Sequence, residues 1–366
     1  MNFSDIFIDD TKNVKRINSD EYLTKGSVSV IDQGKELIAG YASDDVENAC
    51  YDTRIIFGDH TRIFKYIDFP FVCGADGTKV LKIIDPSKIN YKYMYYYLLA
   101  SNIPNTGYNR HFKWVKELSF KPVDINSQMM IVNKLDKINN LIDCRKKEIE
   151  KCDNLIKSQF VEMFGNPLLN IDNSISMTEV CEIIDGDRGS NYPKQSDFYD
   201  DEYCLFLNAK NVTDHGFDFS NNMYITKEKD EQLRKGKLKR GDVILTTRGT
   251  VGNLAFYDKD VIYENIRINS GMVILRMDKE KINERFFIEQ FRFQLDNIKF
   301  KIANGSAQPQ LPISKMSAIK LLLPDIEFQN KFAQIAEQID KQKFEFENSL
   351  NKLEELQASL MQEYFG

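Results

Sequence analysis

The sequence predicts an α+β protein: two globular domains of mixed strands and helices, joined by two long helices that pair with each other as a coiled coil. Three observations predict it. Residues 124–165 and 325–366 align without gaps at a constant offset of 201. Each copy carries a helical apolar stripe with no Pro or Gly before its final glycine. The residues ahead of each copy contain short apolar runs broken by Gly and Asp.

Residues 1–123 form the first domain. SVSVID, TRIIFGD, PFVCG and KVLKIID have strand length and strand punctuation, and NYKYMYYYLLAS reads as a helix. Residues 124–165 form the central repeat helix. Ile131, Leu135, Ile138, Ile142, Ile149, Cys152, Ile156 and Met163 keep close to a 3.5-residue period. Residues 166–324 form the second domain. EYCLFLNAKNV, GDVILTTRGTVG, NLAFYD and SGMVILRM read as strands, and a helix is expected from Asn283 to Asn304. Residues 325–366 form the C-terminal repeat helix, with Phe332, Ala336, Ile339, Phe346, Leu350, Leu353, Leu360 and Tyr364 as its stripe.

The copies share Asp124/Asp325, Gln128/Gln329, Lys151/Lys352, Leu155/Leu356, Ser158/Ser359, Glu162/Glu363 and a terminal Phe-Gly, and Gly366 stands where Gly165 does, so the second copy reads as complete. A helix of about 40 residues is about 60 Å long and cannot bury its stripe alone. Arg145 and Lys343 interrupt the stripes and are expected to set the register. Ahead of the helices, FSDI (3–6) resembles MTEV (177–180) at an offset of 174 against 201, so the second domain carries 27 extra residues.

Composition narrows the function. The net charge of −6 argues at first against a nucleic-acid partner, but residues 325–366, with 4 basic and 9 acidic groups, supply −5 of it. The remainder is neutral on average and can carry basic faces. No apolar run approaches the roughly 18 residues that span a bilayer, and the acidic N-terminus lacks a signal pattern, which points to the cytoplasm and no membrane partner. Six scattered cysteines read as buried thiols, and His60, His111 and His215 form no metal-ligand pair. There is no G-x-x-x-x-G-K-[ST], H-E-x-x-H, G-x-S-x-G or kinase motif, and nothing nominates a nucleophile with its base. The chain is expected to be non-catalytic, with no cofactor or metal of its own.

What remains is a set of loops rich in Arg, Asn, Gln, Thr and Gly beside strand ends, side chains that reach base edges and phosphates. GDHTRIFK (58–65) contributes His60, Thr61 and Arg62; GADGTK (74–79) contributes Lys79; GYNRHFK (107–113) contributes Asn109, Arg110 and Lys113. In the second domain NAKN (208–211) contributes Asn208, Lys210 and Asn211, and TTRGTVGN (246–253) contributes Thr246, Thr247, Arg248, Thr250 and Asn253. ENIRINSG (264–271) adds Arg267 and Asn269, and NGSAQPQ (304–310) adds Ser306, Gln308 and Gln310. Any one of these loops reads equally well as a structural turn. Seven at matching places in two domains favour a double reader. Arg248, among threonines and glycines, is expected at the crest of a turn, with Arg62, beside His60 and Thr61, doing the corresponding job in the first domain. A coiled-coil scaffold whose heads bind protein is the alternative; it explains the helices but not these loops. A self-contained nuclease or methyltransferase comes third.

GDVILTTRGTVGNLAFY, NGSAQPQLPISKM, GDHTRIFKYIDFPFVCGADGTK, YNRHFKWVKEL and both D-I-x-x-Q helix openings resemble the specificity subunits of type I restriction–modification systems, and the resemblance covers nearly the whole chain. It implies two target-recognition domains that read a split double-stranded DNA target, and two helices paired antiparallel that dock methyltransferase subunits. It places the chemistry on partners: adenine methylation with S-adenosylmethionine on methyltransferase subunits, and ATP- and Mg-dependent cleavage on a restriction subunit. GDHTR stands where the second domain has TTRGT, so the pairing of these loops is left to the structure.

Overall fold

The computed structural model describes residues 1–74, 76–169, 174–214, 216–303 and 310–366, without side chains at 300–303. The chain divides into two compact units, residues 1–147 with 346–366 and residues 148–345. Each long helix therefore contributes one part to each unit.

Both units build the same pair of sheets. In the first, an antiparallel sheet runs Phe7–Asp9, Thr78–Ile83, Arg54–Gly58, Phe64–Ile67 in spatial order. In the second, the order is Cys181–Asp185, Met272–Met277, Val243–Thr246, Leu254–Phe256, again all antiparallel. The smaller sheet is mixed in both. Val28–Ile31 pairs antiparallel with Gly40–Ala42 and parallel with Phe71–Cys73. Cys204–Leu207 pairs antiparallel with Tyr224–Ile225 and parallel with Ile266–Ile268. The second unit adds two two-stranded ribbons, Val212–Thr213 with Gly216–Phe217 and Ser174–Ser176 with Lys320–Leu322.

The central strands are buried along their whole length, which is why they read as largely apolar runs, with Ser29, Arg54 and Thr246 buried among the apolar residues. The edge strands Phe7–Asp9, Gly40–Ala42 and Phe64–Ile67 of the first unit carry no such run, and the sequence does not announce them. The FSDI and MTEV repeats are helical turns, Phe3–Ile6 and Met177–Glu179, that each lead into the first strand of their sheet. The expected domain helices are Tyr91–Ala100 and Glu284–Ala303.

The repeat helices are Ile125–Phe164 and Ile326–Phe365. Within each unit their parts run antiparallel. In the first unit Lys134 meets Tyr364, Asn139 meets Gln357 and Arg145 meets Ser349, so partner numbers fall as helix numbers rise. In the second, Asp153 meets Lys343 and the ring of Phe160 meets that of Phe332. The two cations expected to set register do bridge the helices. The Arg145 guanidinium lies over Phe346 at 5.3 Å, and Lys343 pairs with Asp153 at 2.7 Å.

The shared glutamine of D-I-x-x-Q seats each helix on its domain. Gln128 is buried, accepts from the Asn90 amide at 2.8 Å and donates to the carbonyls of Lys88 and Val123 at 3.0 and 2.7 Å. Gln329 repeats this with the Asn283 amide and the carbonyls of Lys281 and Pro324, at 2.9, 3.2 and 2.7 Å. Each side chain satisfies three otherwise orphaned backbone groups where a helix begins. Hydrophobic contacts complete the seating: Leu135 joins Ile55, Leu81, Tyr93 and Met94 in the first unit's core, and Phe160 stacks on Phe286 in the second. Five cysteines are buried as expected; Cys144 is the exception, exposed on the first long helix. No helix among the described residues is long and apolar enough to cross a membrane.

Candidate nucleic-acid interface

In the first unit the three loops chosen from sequence meet at one end of the larger sheet. The hairpin from Arg54–Gly58 to Phe64–Ile67 turns through Asp59, His60, Thr61 and Arg62. Gly58 is required there, because a Cβ would lie 2.2 Å from Thr61 Oγ1. Asp59 joins the loops: its amide donates to the Gly77 carbonyl at 2.7 Å, its carbonyl accepts from the His111 amide at 2.8 Å, and its buried carboxylate accepts from the Phe112 amide at 2.7 Å. His111 is fully buried, with Nδ1 donating to the Asp59 carbonyl at 2.9 Å and Nε2 accepting from the Thr106 amide at 3.4 Å. Neither residue was chosen from sequence, yet together they hold the cluster in shape.

On this frame the His60 ring stacks on Tyr108 at 5.0 Å and 10°, and its Nδ1 donates to the Asn109 carbonyl at 3.2 Å. Tyr108 is 91% exposed. Thr61 donates to the Gln33 carbonyl at 2.6 Å, and Arg110 pairs with Asp76 at 3.0 Å. Lys113 is exposed beside Trp114, while Lys79 is half-buried over the Phe112 ring. Arg62 is half-buried in the left-handed region at φ +63, its guanidinium donating to the Ile103 carbonyl at 3.3 Å.

The second unit repeats the frame with other side chains. The Thr247 amide donates to the Gly271 carbonyl at 2.8 Å, and the Leu311 amide donates to the Thr247 carbonyl at 3.0 Å. These bonds match Asp59 to Gly77 and His111 to Asp59 one for one. The two hairpin loops are therefore equivalent, and the pairing left open by sequence is resolved, with one correction. Counted from the matched bonds, the residue in the place of Arg248 is His60, not Arg62; likewise Arg110 matches Gln310. Arg62 departs because its backbone closes the turn and its guanidinium is spent on a carbonyl.

Arg248, Gly249 and Thr250 are exposed at the crest, and Gly249 takes φ +74 with open space around its Cβ position. Arg248 forms an isolated bridge with the exposed Gln310. Lys210 is exposed on the neighbouring turn, which Asn208 caps by accepting from the Lys210 amide at 2.9 Å. Asn253 donates to the Val212 carbonyl and Asn269 accepts from the Gly271 amide, so these two half-buried amides mainly tie loops together. Ser306 and Gln308 lie outside the described residues.

Four choices are corrected by burial. Thr246 is fully buried, its hydroxyl donating to the Thr250 carbonyl and accepting from the Asn253 amide, which closes the loop on itself. Thr247 is buried with its hydroxyl on the Gly271 carbonyl. Asn211 is buried and shapes its own turn by bonding the Asn208 amide and the carbonyls of Asp218 and Asn221. Arg267 is 5% exposed; its guanidinium pairs with Asp230 and donates to the carbonyls of Lys235, Asp230 and Leu233. Burial pushes the Asp230 carboxyl up, but hydrogen bonds from Lys237 and Arg267 outweigh it and hold the carboxyl below its ordinary range. These four support the loops from beneath. Sequence reasoning also passed over Arg188, exposed in GDRGS, whose guanidinium reaches the Ser270 carbonyl at 3.2 Å beside Asn269.

Each unit thus presents exposed donors and a cation or aromatic ring on a glycine-shaped loop cluster held by backbone bonds. Among the described residues no group of three or more His, Cys, Asp or Glu could hold a metal ion.

Comparison with known proteins agrees with this arrangement. The family described as "Type I restriction modification DNA specificity domain" matches residues 173–358, just over half of the chain. The Escherichia coli type I restriction enzyme EcoR124I/EcoR124II specificity subunit is 28% identical over 113 residues, which is 30% of this chain and 28% of that relative's length. In fold, the crystal structure of a type I restriction–modification system S subunit from M. genitalium is similar, with a TM-score of 0.60 and 16% identity, over 99% of this chain and 94% of that one. A chain from a structure on complex assembly and conformational transition of the type I R-M system gives 0.55 and 13%, over 98% and 97%. The chain belongs to the type I restriction modification DNA specificity domain family.

Proposed function

We propose that the chain is the specificity subunit of a type I restriction–modification complex and reads a split, asymmetric duplex target, one loop cluster to each half. The observation that carries this reading is one fold built twice with matching backbone bonds, yet with Tyr108 and Arg110 exposed beside a half-buried His60 in one cluster where the other exposes Arg248 and Gln310. A scaffold of constant bonds with changed tips is what two different base sequences require. The runner-up, a scaffold with protein-binding heads, gives no reason for polar tips to differ on a constant frame.

The helices carry a second role in this reading: they dock methyltransferase subunits and a restriction subunit. S-adenosylmethionine, ATP and Mg²⁺ belong to those partners, and this chain performs no bond-making step. Near-neutral charge outside residues 325–366 fits a reader that relies on its partners for much of the phosphate contact. The test is a methylome of cells expressing this chain with its methyltransferase partner, against cells lacking this chain. A two-part adenine-methylated motif that vanishes on deletion is the expected result. An unchanged methylome with an active partner would defeat the reading.

A further inference from the structure

We propose that Arg16 and Arg110 form a clamp for a phosphodiester of the DNA backbone, and that the Asp76 carboxylate fills it in the free protein in place of the phosphate. The inference rests on the DNA-reading function proposed above and adds Arg16 and Asp76 to that site. Asp76 Oδ1 accepts from Arg16 Nη1 at 3.1 Å, and Oδ2 accepts from Arg110 Nη2 at 3.0 Å. One carboxylate thus spans two guanidiniums from distant parts of the chain, one oxygen to each.

The Asp76 backbone is held. Its carbonyl accepts from Gln33 Nε2 at 2.9 Å, and Gln33 also accepts from the His60 amide at 3.2 Å. Gly77 follows at φ +88, where a Cβ would lie 2.9 Å from Gln33 Oε1 and 3.0 Å from His60 Cδ2. The carboxylate is therefore presented to the arginines by a fixed turn within the same loop cluster as His60. The Gly77 amide, with the two guanidiniums behind it, holds the carboxyl below its ordinary range, so it is charged at neutral pH.

Stability does not explain the arrangement. All three side chains are well exposed, at 41%, 70% and 61% for Arg16, Asp76 and Arg110. Pairs in that setting contribute little and exchange partners readily. The chemistry of exchange does explain it. A phosphodiester presents two non-bridging oxygens and one negative charge, the same inventory as the carboxylate, so it can replace both bonds without leaving a guanidinium unpaired. Until it does, Asp76 cancels one of the two positive charges and repels the polyanion. Every duplex meets that penalty, and only one that also engages the base-reading residues of the cluster offsets it. The device lowers non-specific affinity and raises the specific-to-non-specific ratio.

The test uses the purified full-length chain and a mixed-sequence duplex, with affinity followed by fluorescence anisotropy across a salt series. Asp76→Asn is expected to bind roughly threefold to tenfold tighter at low salt, with a salt slope steeper by about one. In an Arg16→Ala/Arg110→Ala background the same change should have no such effect. Unchanged or weaker binding by Asp76→Asn overturns the proposal, as does a gain that persists without the two arginines. Calorimetry with inorganic phosphate separates the anion sources: saturable phosphate binding to Asp76→Asn with no change for duplex makes this a free-anion site and overturns the phosphodiester assignment. If neither protein binds duplex and the methylome shows no split motif, the DNA reading itself falls and the clamp with it. A split motif with Asp76→Asn indistinguishable from wild type defeats the clamp alone.

Discussion

Two arginines of the second unit illustrate opposite uses of one side chain. Arg248 stands exposed on a loop whose backbone is bonded to Gly271 and whose next residue, Gly249, clears space around it. Its guanidinium is available for a planar, bidentate partner, and one such pair with guanine is worth ~1–3 kcal/mol of discrimination. Arg248→Ala should therefore relax the methylated motif at one half and leave the other half intact; loss of both together points to a folding defect instead. Arg267 is spent internally. Replacing it with Met leaves the Asp230 carboxylate buried beside Lys237 alone, and destabilisation of about 3–5 kcal/mol is expected in urea or thermal unfolding. The acid dependence has a definite sign. Because folding depresses the Asp230 pKa, its contribution is complete above the unfolded value of about 3.9 and is lost as pH falls through the folded value. The Arg267→Met variant should show less of that acid-linked loss.

The long helices are seated by a polar anchor as much as by their stripes. Gln128 and Gln329 make the same three hydrogen bonds at the same place in the repeat. Substituting either with Leu buries an amide and two carbonyls without partners, and a loss of about 1–3 kcal/mol per site is expected by denaturant unfolding. A marked inequality between the two would show that the bonds are not equivalent in energy. Both anchors stood out in the sequence as repeat identities, but their role did not, since two of the three partners of each lie about 40 residues or more away. Phe160 was missed for a related reason. It lies off the strict heptad stripe, yet it is fully buried because the helix of residues 284–303 covers it as well as the partner helix.

Taken as a whole, the chain is two copies of one architecture, each closed by parts of the same two helices. If the readers act independently, His60→Ala and Arg248→Ala should each alter a different half of the target, and the double variant should show additive losses. Lengthening both helices by four residues, at 147/148 and at 345/346, inserts about 6 Å of helix between the units' shares of the bundle. The methylome should then show a changed gap between unchanged half-motifs. Altered half-motifs with the same gap would contradict the spacer role.

Periodicity and repetition were legible without a structure because they follow from local rules. A stripe near 3.5 residues needs an apolar surface to cover it, a strand buried on both faces is largely apolar, and an offset of 201 can be read directly from the chain. The class of candidate residues was legible too, since polar loops beside strand ends are a matter of composition. Which of those residues face solvent was decided by tertiary contacts. Thr246, Thr247, Asn211 and Arg267 are polar donors like Arg248, but each is buried on a carbonyl or carboxylate: Thr246 and Asn211 within their own turns, Thr247 and Arg267 across separations such as the 37 residues between Arg267 and Asp230. The equivalence of His60 with Arg248 likewise emerged from matched backbone bonds between loops that share almost no sequence. A side chain's type is written in the chain; whether it is exposed or already bonded depends on which distant backbone groups the fold brings within about 3 Å of it.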